Sequence, residues 1–99
     1  MQSVAAGQHF FRYECALHLG GKVFYPDFTI KHPENDRIVY WEHFGLMDDE
    51  EYSKKAYTKL QVYNSYGIVP SIHLITTFET RDNPLSVKMV EKIVEYYFQ

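Results

Sequence analysis

The chain has 99 residues, 45% of them apolar and 17% aromatic, which is material for one compact core, so residues 1–99 are expected to form a single domain. A formal net charge of −3 gives no bulk basic surface of the kind that displaces counterions from phosphate, and a lone cysteine, Cys15, excludes both a disulfide framework and a cysteine-rich zinc site within the chain. No run approaches the ~18 consecutive apolar residues of a membrane span, and the first residues lack the basic and apolar regions of a signal peptide, so a soluble, cytoplasmic protein with no membrane partner is expected.

In chain order, His9 to Leu19 and Lys22 to Ile30 are strand-like runs rich in Phe, Tyr, Val and Leu, joined by Gly20-Gly21, which supplies the positive φ of a tight hairpin. The polar turn Lys31-His32-Pro33-Glu34-Asn35-Asp36 leads to a third strand, Arg37 to Phe44, completing a predicted antiparallel meander. Asp48, with Glu51 three residues later, offers an N-cap for a helix in which Tyr52, Ala56, Leu60 and Tyr63 recur at helical spacing; Gly67 and Pro70 end it. Ser71 to Phe78 reads as a fourth strand. Asn83-Pro84 offers an N-cap and first-turn proline for a last helix with Val90, Ile93, Val94 and Tyr97 on its apolar face. The order βββαβα is of the α/β class, and the helical crossover is long enough to return the fourth strand parallel to the third.

Two segments of this pattern carry the chemistry. Tyr25-Pro26-Asp27-Phe28-Thr29-Ile30 and Tyr40-Trp41-Glu42-His43-Phe44-Gly45 set one carboxylate into each of two neighbouring apolar strands. Alternation groups Asp27 with Tyr25 and Thr29, and Glu42 with Tyr40 and Phe44, opposite Trp41 and His43. An ionised carboxylate taken out of water without a partner costs several kcal/mol, so two together call for a cation. A divalent metal held by oxygens, with coordination positions open, would supply one and would suit phosphodiester hydrolysis. The alternative is a pair of ordinary acids on the solvent face of a half-covered sheet. Competing chemistries find little support: Cys15 and His18 lie an odd number of residues apart on one strand, the five histidines show no ligand spacing, and Gly20-Gly21 opens no helix.

The spacing Pro-Asp, about fifteen residues, then an acid on an aromatic-rich strand resembles the PD-(D/E)XK nuclease superfamily, the restriction-endonuclease-like fold. More narrowly, Phe11-Arg12-Tyr13-Glu14, the two segments above and Ile75-Thr76-Thr77-Phe78-Glu79 resemble bacterial domains of this superfamily that stand alone or are fused to Rep/UvrD-type helicases, over roughly residues 9 to 98. The resemblance implies an αβββαβ core whose first helix is either upstream, this chain being a fragment of a longer protein, or dispensed with. It implies Mg2+ or Mn2+ as cofactor, held by Asp27, Glu42 and the backbone carbonyl of His43, and DNA as partner, with a fused or associated helicase. Without the first helix, part of the sheet is expected to be covered by a second copy of the chain.

The motif lysine, two residues after the acid, is replaced by Phe44. Two substitutes are available. His43 follows the acid but needs a bulge to reach it. Lys59 shares a helix face with Tyr63, and this Lys-x-x-x-Tyr pair is similar in place and spacing to the Gln-x-x-x-Tyr motif of RecB-like members. Glu14 resembles a recurrent acid of the narrower family. The expectation is therefore a Mg2+-dependent deoxyribonuclease with Asp27, Glu42, Lys59 and His43 as catalytic candidates; the rival expectation is a nuclease-fold module that has lost catalysis and serves DNA docking or protein interaction.

Overall fold

The computed structural model describes residues 10–13, 15–32 and 36–98, with backbone alone at 10–13 and 98. Along the chain these form β1 (Phe10–Tyr13), β2 (Leu17–Leu19), β3 (Lys22–Phe24), β4 (Phe28–Lys31), β5 (Ile38–Phe44), α1 (Glu50–Ser65), β6 (Leu74–Phe78) and α2 (Val87–Phe98). Glu14 and any helix before the first strand lie outside the described residues.

The two expected N-terminal strands are each split in two. Gly20 and Gly21, at φ of 55° and 84°, make the two-residue turn, and the hairpin keeps one register from Leu19 opposite Lys22 to Phe10 opposite Lys31. The ladder is nevertheless interrupted at Tyr25-Pro26-Asp27. Pro26 is fully buried, has no N–H to donate and cannot continue a paired strand. The tip, β2–β3, becomes a separate two-stranded sheet, and the base, β1 and β4, joins a mixed four-stranded sheet ordered β1-β4-β5-β6. In that sheet β5 is antiparallel to β4 and parallel to β6, which returns after α1.

Each face of the sheet has its own core. Ile30, Val39, Trp41 and Ile75 point to one side, where Val94 packs with Val90, Ile93 and Tyr97 of α2. On the other side Tyr63 of α1 packs with Leu74 and with Leu19 of the hairpin, against Leu60, Tyr40 and Phe24. The hairpin therefore lies on the α1 face. Its tip is set by Gly20, where a Cβ atom would overlap the Tyr66 side chain at the end of α1. Among the described residues no helix is long and apolar enough to cross a membrane.

Three element boundaries differ from the sequence reading. The N-cap of α1 is Asp49, whose Oδ1 accepts the Tyr52 N–H at 3.0 Å, whereas the Asp48 carboxylate accepts the Arg81 N–H at 3.1 Å and ties the start of α1 to the loop after β6. Helix α2 begins at Val87, with Ser86 Oγ accepting the Met89 N–H; Asn83 instead closes a tight turn with Thr80. Strand β6 begins at Leu74, because residues 71–73 form a turn with Ser71 at a φ of 73°.

Candidate active site

Phe28 stands opposite Trp41 in the β4–β5 ladder, and one further step sets Asp27 level with Glu42. The bend at Pro26 leaves Asp27 exposed at the start of β4, where its Oδ2 accepts the backbone N–H of His43 at 2.7 Å. Its carboxylate is thus held against β5 one residue beyond Glu42.

Glu42 is very different: it is only 3% exposed. Burial of that carboxylate is tolerable because two groups from α1 converge on Oε2. The Tyr63 hydroxyl donates to it at 2.5 Å, and the Lys59 ammonium lies 3.0 Å away. Lys59 and Tyr63 are one helical turn apart, so the same face of α1 delivers a charge and a hydrogen bond to one oxygen. Burial, first, and then the hydrogen bond to Glu42 and the negative charges of Glu42 and Asp27 push the Tyr63 phenol well above its usual range. Tyr63 is therefore a proton donor to Glu42 at any ordinary pH. Glu42 Oε1 makes no hydrogen bond or ion pair among the described residues.

Of the four residues singled out from sequence, Asp27, Glu42 and Lys59 are brought to one face, and the His43 side chain is not. Its Nδ1 lies 2.8 Å from Thr77 Oγ1 and its Nε2 lies 2.8 Å from Glu79 Oε1. The Trp41 indole N–H donates to the same Thr77 oxygen at 3.1 Å, so Thr77 ties the two neighbouring side chains of β5 together. Strand alternation wins here: no bulge turns the imidazole towards Glu42, and only the His43 backbone reaches Asp27. Phe44, where the expected nuclease motif would have a lysine, is buried and stacked on Phe78, with ring centroids 5.4 Å apart. Core packing occupies that place, and the cation arrives from α1.

The sequence places Tyr63 both on the apolar stripe of α1 and in the Lys-x-x-x-Tyr pair, without assigning it a contact to the acids. Tyr63 is fully buried, as its place on the apolar stripe implies, yet its hydroxyl is the shortest link to Glu42. The available signal was a tyrosine four residues after a lysine on the sheet-facing side.

Among the described residues no three His, Cys, Asp or Glu side chains gather as a metal site. The carboxylate donors are Asp27 and Glu42, each with one oxygen outside the internal bonding shown. That oxygen-only set does not suit zinc; it suits a hard cation such as Mg2+ or Mn2+, which retains several waters and takes one or two carboxylates. No family model, curated protein or solved structure matches the chain.

Proposed function

We propose that this domain is a divalent-metal-dependent DNA nuclease with a restriction-endonuclease-like core. The observation that carries this is the Lys59 ammonium 3.0 Å from the buried Glu42 carboxylate, a cation supplied from α1 where the motif position two residues after the acid holds Phe44. Asp27, Glu42 and the His43 backbone carbonyl would hold Mg2+ or Mn2+. When bound, the ion would polarise the scissile phosphate and lower the pKa of a water. Tyr63 holds Glu42 through Oε2, and Oε1 makes no hydrogen bond or ion pair among the described residues, which leaves it available to a metal ion. The Lys59 side chain, 3.0 Å from Glu42, would orient the attacking water or offset charge gathering on the phosphoryl oxygens. DNA is the proposed substrate, and a helicase fused to or associated with the domain is the proposed source of processivity.

A second reading has its own observation: Lys59 already neutralises Glu42 without a metal, as a structural ion pair in a non-catalytic module would. Titration calorimetry with Mn2+, paired with cleavage of labelled DNA in Mn2+ and in EDTA, separates the two. The nuclease reading expects binding and metal-dependent cleavage, both abolished by Asp27→Ala. A wild-type protein that binds no Mn2+ and cuts nothing would establish the docking module instead.

A further inference from the structure

In a chain of net charge −3, four of the ten basic residues line one groove. Lys22 on β3 faces Lys54, Lys55 and Lys59 on α1 across an open depression of about 380 Å³, with Phe24 on its wall. A smaller depression of about 170 Å³ shares Lys55 and Lys59 and continues to Phe44. Lys59 is committed to Glu42. Lys22, Lys54 and Lys55 have no carboxylate within ion-pair distance among the described residues, although Glu50 and Glu51 stand four residues before Lys54 and Lys55 on the same helix. Three ammonium groups without an ion-pair partner among the described residues come from two elements to one concave surface that also includes Lys59, the partner of Glu42, and together they concentrate positive potential there.

We infer that this groove is the path of a single nucleic-acid strand, its phosphates on Lys22, Lys54 and Lys55 and a base against Phe24. The inference deepens the nuclease reading and rests on it for the strand's destination at Asp27 and Glu42. A polyanion with regularly spaced charges matches lysines on two facing walls, and an aromatic wall offers a stacking surface that any base can use. Lysines on two elements beside a partly buried phenylalanine fit a single strand with unstacked bases; duplex DNA and anionic vesicles are the alternatives that the test separates.

The test is anisotropy of a short fluorescein-labelled oligo-dT titrated with the whole chain in EDTA, so that binding is read without metal or cleavage. Wild type should bind, and Lys22→Ala/Lys54→Ala/Lys55→Ala should weaken binding roughly tenfold at low salt. The same variant should make the slope of log affinity against log salt shallower by about 2, at roughly 0.7 per phosphate contact on a single strand. Lys88→Ala/Lys92→Ala, on α2 behind the sheet, should leave binding unchanged. Urea midpoints near the wild-type value would show that the variants fold. The inference is overturned if wild type does not bind oligo-dT, if the triple variant binds like wild type, if duplex DNA binds more tightly than the single strand, or if the three lysines serve only anionic vesicles. Failure of the nuclease reading looks different: wild type and triple variant separate in EDTA, but neither cuts DNA when Mn2+ is added.

Discussion

Replacing Lys59 by methionine keeps most of the aliphatic stem and deletes the ammonium that faces Glu42. At 3.0 Å and an effective dielectric of ~20, the lost attraction is about 5.5 kcal/mol before solvation is counted. Much of that is offset, because water screens a Lys59 side chain that is 31% exposed and the variant no longer bears the cost of desolvating the ammonium. Glu42 has no such relief: its carboxylate stays buried, with Tyr63 as its only hydrogen-bond partner among the described residues. Breaking a fully buried pair by removing one partner typically costs ~3–5 kcal/mol, and the partial exposure here reduces the expectation to about 2–3 kcal/mol. The reverse change, Glu42→Gln, should cost less, since Lys59 can turn to water and a neutral amide can still accept from Tyr63. Combining the two should restore much of the stability lost in Lys59→Met. Urea denaturation of the four proteins reads these differences as midpoints at constant slope. In the same preparations, Lys59→Met should retain Mn2+ binding while turnover falls roughly 100-fold, the scale of losing one transition-state stabiliser. A Lys59→Met protein with the wild-type midpoint and undiminished cleavage would refute both the energetic role and the catalytic one.

Two further outcomes follow from the same packing. Because the folded-state phenol of Tyr63 titrates above its ordinary value of 10.0, the unfolded chain releases that proton first as pH rises; stability from Tyr63 is complete below about pH 10 and declines above it, by up to ~1.4 kcal/mol per pH unit. Urea midpoints from pH 9 to 11 should therefore fall more steeply for wild type than for Tyr63→Phe, and parallel curves would contradict the assignment. Gly20→Ala and Gly21→Ala both place a side chain at positive φ, costing ~1 kcal/mol, but only the first meets Tyr66. Gly20→Ala should be the more destabilising of the two, and a Tyr66→Ala background should bring them together; equal effects in both backgrounds would show that the tip is not seated on α1.

Local sequence rules carried far along this chain. Adjacent glycines placed the hairpin turn, the periodicity of Ala56, Leu60 and Tyr63 placed α1, and alternation correctly separated Glu42 from Trp41 and His43. The order of the segments brought Asp27, just before β4, level with Glu42 on β5, and helical spacing put Lys59 and Tyr63 on one face. The strand and helix patterns depend on a repeat of two or 3.6 residues, and those repeats are properties of the backbone itself.

What failed locally was competition between near-equal signals. Asp48 and Asp49 are both able caps, and the fold chose Asp49 while docking Asp48 on the Arg81 backbone. Pro26 was read within a strand, yet a fully buried residue without an N–H ended the pairing and bent Asp27 towards β5.

Periodicities, the hairpin turn and the charged groups on each element can be read from residue order alone. Which charge answers which is set by packing: Lys59 reaches Glu42 from 17 residues away in the chain, His43 takes Thr77 and Glu79 from the neighbouring strand and its following loop, and Lys22 comes to line one groove with Lys54 and Lys55. Those pairings arise when β6 returns beside β5 and the hairpin folds down on α1, because a buried carboxylate accepts whichever donors the packing brings within hydrogen-bond reach.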